Sequence, residues 1–437
     1  MPFRTILLAL AAALAFAGSA HAQTSAADID ARITAVTPRV VAWRRDIHAN
    51  PELGNRETRT ARLVAQHLRR LGLEVRTGVA ATGVVGVLRG AHPGPVVALR
   101  ADMDALPVLE QTGLPFASRA VGVFNGQQTP VAHACGHDAH TAMLMGAAEV
   151  LAGMRNHLRG TVVFIFQPAE EGPPAGETGG ARRMVAEGAL QNPAPQAIFG
   201  LHVVPGAPGT IFWRPEGFMA AADQIQIRLR GKQTHGAWPW QGVDVISLSS
   251  AIVSELNTVA ARTVDVTRTP TVLTIATVNA GVRYNIIPEE ATLTGTLRTF
   301  DASQRTAIMR RIENTIANLA QSYGATAEVT FIESGPLTYN DPALAAWAIA
   351  PMHEAAGAAN VDPARAPTTV SEDFSVFQQQ IPGLFAHLGG SADGVDPATS
   401  PPNHSPQFDV NERVLPLGVR AHVLFAVRYL ETGGPAR

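Results

Sequence analysis

The amino-acid sequence predicts an α/β protein in two parts: a mixed sheet covered by helices, and a smaller ferredoxin-like α+β domain inserted into it. Three observations carry this expectation. Between Gly83 and Val204, short β-branched apolar runs alternate with helical stretches, the pattern of a sheet covered on both faces. From Asp223 the texture shifts to period-two alternation in "DQIQIRLRG", as in an antiparallel strand with one wet face. At 437 residues the chain also exceeds one ordinary core, so two domains are the natural organisation.

Taken in order, the chain opens with "MPFRTILLALAAALAFAGSAHAQ". One basic residue, Arg4, precedes an apolar run from Ile6 to Ala17, and Ala20-His21-Ala22 gives the small-x-small pattern of a signal peptidase site. Residues 1–22 are therefore expected to be a signal peptide and the mature protein to be exported, periplasmic or secreted. The run falls short of the ~20 apolar residues that a membrane anchor wants. From Ala26 to Leu71 the pattern is helical, interrupted at Pro51, and "GVVGVLRG" and "PVVALRAD" follow as strands. A helix is expected from Asp138, as N-cap, through "AHTAMLMGAAEVLAGM". "GTVVFIFQ" and "AIFGLHV" continue the sheet.

The inserted unit has expected boundaries near 216 and 333. Its strand "DQIQIRLRG" precedes a helix over "VDVISLSSAIVSELNTVAA", strands "TVLTIATVNAG" and "EATLTGTLRTF", a helix over "SQRTAIMRRIENTIANLAQSYG" and a strand "TAEVTFIE". That β-α-β-β-α-β order defines the ferredoxin-like unit. Helix-strand texture resumes in "PALAAWAIAPMHEAAG", "GLFAHLGG" and "ERVLPLGVRAHVLFAVRYLE".

Charge narrows the function. With 34 basic against 36 acidic residues, neither nucleic acid nor an anionic membrane is an expected partner. Lys232 is the only lysine, leaving one possible carrier for Schiff-base chemistry. The only cysteine, Cys135, lies in "HACGHDAHTAML". In an exported chain it cannot pair internally, so it is either buried and inert or chemically engaged. Metal-capable side chains stand at or just after expected strand ends: Cys135 with His137, Glu170 with Glu171, His202, and His404 in "NHSP". Loops leaving the carboxyl ends of strands can bring such groups together. Singly, each has a plainer reading: a solvated charge pair, a structural histidine, a turn.

Together with "ALRADMDALPV", "FQPAEEG", "THGAWP", "YNIIP", "SEDFS" and "NHSPQFD", the "HACGHDAHTAML" segment resembles a metal-dependent family across nearly the whole mature chain. It is the M20-type peptidase/amidohydrolase family, which includes aminoacylases and glutamate carboxypeptidases. The branch of hippurate hydrolases and auxin–amino acid conjugate hydrolases looks nearest. The resemblance implies a zinc-peptidase-like catalytic domain over 23–215 and 333–437, with 216–332 as a lid or dimerisation domain. It implies Cys135, His137, Glu171, His202 and His404 as ligands of a divalent centre, two ions per subunit, with Zn, Mn, Co and Ni all open. Where much of the family has His-x-Asp, this chain has Asp102-Met103-Asp104, and the cysteine branch supplies its ligands from "CGHD" instead.

By the same resemblance Glu170 is the general base, Asp104 orients a histidine ligand, and His235 reaches the oxyanion from a neighbouring subunit. Asn285 and Arg298 are candidates for gripping the substrate carboxylate, with a polar turn and a surface ion pair as alternatives. Trp238-Pro239-Trp240 departs from the branch pattern; the indoles either stack on an aromatic acyl group or pack the domain. The implied activity is hydrolysis of N-acyl amino acids by a homodimer or higher oligomer. A carboxypeptidase or dipeptidase, a non-catalytic peptide-binding protein, and a cysteine-nucleophile amidase stand as alternatives.

Overall fold

The computed structural model describes residues 26–265 and 269–436; the leader, and with it the export reading, lies outside them. Eight strands form one mixed sheet, in the order Glu74–Val79, Gly83–Arg89, Arg159–Gln167, His92–Asp102, Ala197–Val204, Gly383–Gly389, Ile211–Phe212 and Val361–Asp362. The four long central strands run parallel, and the Gly83–Arg89 and Ile211–Phe212 strands beside them run antiparallel.

Both faces of these strands are apolar. Val97, Leu99, Phe164, Phe199 and Leu384 point to one side, where they meet helices Ala26–Ala49, His137–Gly153 and Leu415–Thr432. Ala98, Val163, Ile165, Ile198 and Phe385 point to the other and pack against Met184, Phe374 and Phe377. Continuous hydrophobic runs in the sequence are the signature of this two-sided burial.

Ala221–Gly335 builds the second sheet. Its strands lie in the order Thr271–Ala280, Glu290–Thr299, Ala221–Arg230, Thr326–Gly335, all antiparallel. That is the ferredoxin-like arrangement expected from the order of elements. Ile225, Ile227 and Leu229 face inward against Leu248, Ile252 and Leu256 of helix Val245–Thr263 and Ile308, Ile312 and Ile316 of helix Ala302–Ser322. Asp244 and Asp301 cap these helices, each carboxylate accepting a backbone N–H of the first turn.

One local expectation fails. The residue capping helix His137–Gly153 is Gly136, not Asp138. Asp138 lies within the first turn, fully buried, and its carboxylate accepts from Arg44 Nε at 2.9 Å and His48 Nδ1 at 2.8 Å. Those partners come from helix Ala26–Ala49, so the carboxylate is claimed by tertiary contacts and is not left for the helix end.

Candidate metal centre

Within the parallel core the chain passes from strand His92–Asp102 to its neighbour on one side, Arg159–Gln167, and then to its neighbour on the other, Ala197–Val204. A crevice forms outside the carboxyl ends at such a reversal. Asp104, Glu170, Glu171 and His202 all lie at these ends. Helix His137–Gly153 enters from the same side, and the segment after Gly383–Gly389 brings His404.

Backbone conformation places the donors. Gly136, between Cys135 and His137, has φ +93°, a value that side-chain-bearing residues rarely adopt; it lets the thiol and the imidazole on either side of it converge. Ala169 (φ 50°) and His404 (φ 70°) hold left-handed conformations without being glycine. Such strain costs about 1–3 kcal/mol and persists only where surroundings impose it. Buried Glu57 imposes the first, accepting Ala169 N–H at 2.8 Å. His404 is tied by its own N–H to the Ala134 carbonyl. Beside it, Asn403 Nδ2 donates to the carbonyls of Cys135 and Val203, each at 3.1 Å.

The side chains then meet. Cys135 Sγ lies 3.5 Å from His202 Nε2, and His404 Nε2 lies 3.0 Å from Glu171 Oε1. His137 Nε2 is 3.9 Å from both Glu170 Oε2 and Glu171 Oε1. Donor atoms of Cys135, His137 and His202 lie within 4.8 Å of one another, as do those of Cys135, Glu171 and His404, and those of His137, Glu170 and Glu171. His137 Nδ1 is 2.8 Å from the Asp104 carbonyl and 3.2 Å from Asp104 Oδ1, so it donates outward. His202 Nδ1 likewise donates to the Val203 carbonyl at 2.9 Å. Both rings therefore turn an Nε2 lone pair inward, and that of His137 is buried with no hydrogen-bond partner. Orienting one ring nitrogen outward in this way is how proteins prepare imidazoles for a metal. The donor set of thiolate, imidazole and carboxylate fits a divalent ion.

The electrostatics agree. Burial works against charge on His137, yet Asp102 and Asp104 hold its imidazole up at about 10: the site is negative enough to attract a cation, and a divalent ion would take the place of the proton on Nε2. Burial pushes the Cys135 thiol well up, and the carboxylates of Glu171, Glu170 and Asp102 push it further. Burial and neighbouring His140 keep His202 neutral, well below the usual imidazole range. Glu170 is raised well above an ordinary carboxyl, first by burial and then by Glu372, Glu171 and Asp373. Asp104 completes the frame, accepting Glu171 N–H on Oδ2 at 2.9 Å.

Six of the residues read from the sequence thus converge with Asp104 beside them. His235, Asn285 and Arg298 do not join them: among the described residues no hydrogen bond or ion pair links the three to the cluster. His235 and Asn285 are neighbours on the inserted unit, where the Gly236 N–H donates to the Asn285 carbonyl at 2.8 Å. Arg298 Nη1 donates to Ser371 Oγ at 3.4 Å. A cavity of about 470 Å³ opens beside Glu170 and Asp373, bounded by Arg182 and by Pro336 at the root of the inserted unit. A larger one, about 690 Å³, lies along Phe116, Phe408 and Glu412 and includes none of the clustered side chains.

Sequence reasoning missed Arg100, His140, Glu372, Asp373 and Asn403. His140 donates Nδ1–H to Asp102 at 2.6 Å and accepts Val203 N–H on Nε2 at 2.8 Å, so both its nitrogens are spent on structure. The available signal for Arg100 was a charge inside an otherwise apolar strand.

A parallel-cored sheet carrying a thiol, imidazoles and paired carboxylates at its carboxyl edge, with an inserted ferredoxin-like unit, defines a metal-dependent hydrolase of amide or peptide bonds. Comparison with known proteins gives the particular family: residues 98–428 match the model of peptidase family M20/M25/M40, and the chain belongs to it. It is 38% identical over 393 residues to thermostable carboxypeptidase 2 of Saccharolobus solfataricus, covering 89% of this chain and 95% of that protein. It is 39% identical over 406 residues to IAA-amino acid hydrolase ILR1-like 2 of Arabidopsis thaliana, covering 91% and 87%. Among solved structures, the Bacillus subtilis YXEP protein, described as a dinuclear metal-binding peptidase, superimposes with a TM-score of 0.76 at 33% identity, covering 91% of this chain and 99% of that one.

Proposed function

We propose that the protein hydrolyses the amide bond of N-acyl amino acids at a centre of two divalent ions held by Cys135, His137, Glu171, His202 and His404. The observation that carries this is the convergence of those five donors around inward-facing lone pairs, with Glu170 beside them. A bound divalent ion supplies Lewis acidity and lowers the pKa of its water to about 7. Zn, Mn, Co and Ni all suit the mixed donor set.

The chain's own groups do the rest. Glu170, made more basic by burial and by its carboxylate neighbours, takes the proton of the attacking water and hands it to the departing nitrogen. Proton transfer of this kind contributes ~10²–10⁴-fold. Asp104 holds His137 and the Glu171 backbone in register. A cysteine-nucleophile amidase fits poorly, because Cys135 Sγ sits among the donor atoms of His202, Glu171 and His404, where it is committed to the cation and not free to attack a carbonyl. A pure binding protein would have no use for a base at Glu170.

The similarity to a carboxypeptidase supports a second reading, cleavage of true peptide bonds. Rates on benzoyl-glycine and on unblocked dipeptides separate the two. Glu170→Ala is expected to lose at least about 100-fold in kcat while keeping its metal; full activity in a metal-replete variant would refute the mechanism. Two further parts of the reading are export, supported by the leader sequence, and self-association. The edge strand Thr271–Ala280 carries half-exposed Val278, and Val282 and Tyr284 beyond it are almost fully exposed, a surface of the kind that pairs with another copy. A protein sedimenting at monomer mass, or one recovered from culture with Met1 intact, would remove the corresponding part.

A further inference from the structure

Arg100 stands near the carboxyl end of the central strand His92–Asp102 and is 2% exposed. Nε donates to Gln167 Oε1 at 2.9 Å, Nη1 to Asp102, and Nη2 to Glu372 Oε1 at 2.9 Å and Asp373 Oδ1 at 3.2 Å. A buried charge persists only where partners offset its desolvation, and here the partners are three carboxylates and an amide from three different segments. Gln167 ends the neighbouring strand and leads directly into the Glu170 loop. Its Nε2 donates to Asp373 Oδ1 at 2.6 Å, and the Ala181 N–H donates to Asp373 Oδ2 at 2.7 Å.

Asp373 is thus held by donors on both carboxylate oxygens, and its own backbone N–H donates to Glu170 Oε1 at 3.4 Å. The other oxygen of Glu170 faces His137. The guanidinium itself makes no hydrogen bond to Glu170. We propose that Arg100 is a positioning residue for Glu170: it fixes the Glu372–Asp373 turn, whose amide aims the Glu170 carboxylate across the metal cluster. This rests on Glu170 being the general base.

The test is a double-mutant cycle on the metal-loaded protein, with benzoyl-glycine or a dipeptide, whichever is turned over faster. Arg100→Lys keeps the charge but loses the fork that reaches Gln167, Asp102 and the turn together. It is expected to lower kcat about 10-fold or more, part of the ~10²–10⁴ that a base supplies, with KM and bound metal per subunit unchanged. In a Glu170→Ala background the same substitution is expected to cost nothing further, because its route of action is gone. A role confined to stability would lower the melting temperature and act alike in both backgrounds.

Equal losses in the two backgrounds, or a folded, metal-replete Arg100→Lys protein with the parent kcat, overturn the proposal. Should Arg100→Lys fail to fold, Gln167→Leu removes a neutral contact of the same hub and carries the same cycle with the same criteria. Full activity in Glu170→Ala alone would instead remove the base assignment beneath it.

Discussion

Cys135 lies 3.5 Å from His202 Nε2 and shares a cluster with Glu171 and His404, so the sulfur touches donors from three other segments. Cys135→Ser replaces a soft, ionisable donor with a hydroxyl that does not ionise under ordinary conditions. Metal affinity is expected to fall on the order of 10–100-fold, the loss typical of damage even to a ligand's outer partners, and activity with it. Competition against a chelator measures this, and a serine variant that binds metal as tightly as the parent would take the sulfur out of the centre. Residue type and placement near strand ends made the donors candidates, and the resemblance of their motifs to a metal-dependent family is what joined them into one set. The hub at Arg100 was not, since its partner Glu372 is 272 positions away and no local pattern pairs them. Its traces were a charge in "PVVALRAD", where two-sided burial would otherwise favour apolar side chains, and the motifs "ALRADMDALPV" and "SEDFS", which hold both partners without showing that they meet.

The turn at Gly136 works on a longer stretch: with φ +93° it starts helix His137–Gly153 and spaces two donors across one residue. Alanine there would be strained by about 1–2 kcal/mol. Gly136→Ala is expected to lower the melting temperature of the metal-free protein and to reduce the extra stabilisation that added zinc confers. An unchanged zinc-induced shift would mean that the turn does not set donor spacing. The inserted unit could be read in order because its hairpin and helices are local and their periods unambiguous. The two-residue strands Ile211–Phe212 and Val361–Asp362 could not, being too short to show a period. Asp138 misled for a different reason. Its type and place suit a cap, but a helix from much earlier in the chain supplies Arg44 and His48 to it, and that approach leaves no mark nearby.

Arg44, His48, Glu110, Asp138, Asp409 and Glu412 join distant stretches of the chain in one charged network, buried at Arg44, His48 and Asp138 and reaching the surface at Asp409. Burial disfavours charge on His48, yet Asp138 and Glu110 raise its pKa to about 9, against about 6.5 in the unfolded chain. Its contribution is therefore complete below about pH 6.5 and fades as pH climbs through about 9. His48→Gln is expected to destabilise the protein more at pH 6 than at pH 10, read from denaturant midpoints of parent and variant; a difference that grows with pH would reverse the assignment. The same topology dictates a timetable. The insert closes on contacts confined to Ala221–Gly335, whereas the great sheet waits for Gly383–Gly389, His404 and the helix Leu415–Thr432 that seals its apolar face. A nascent chain can thus complete its appendage early, but it assembles a reaction chamber only once the stretch from Gly383 to Thr432 has emerged.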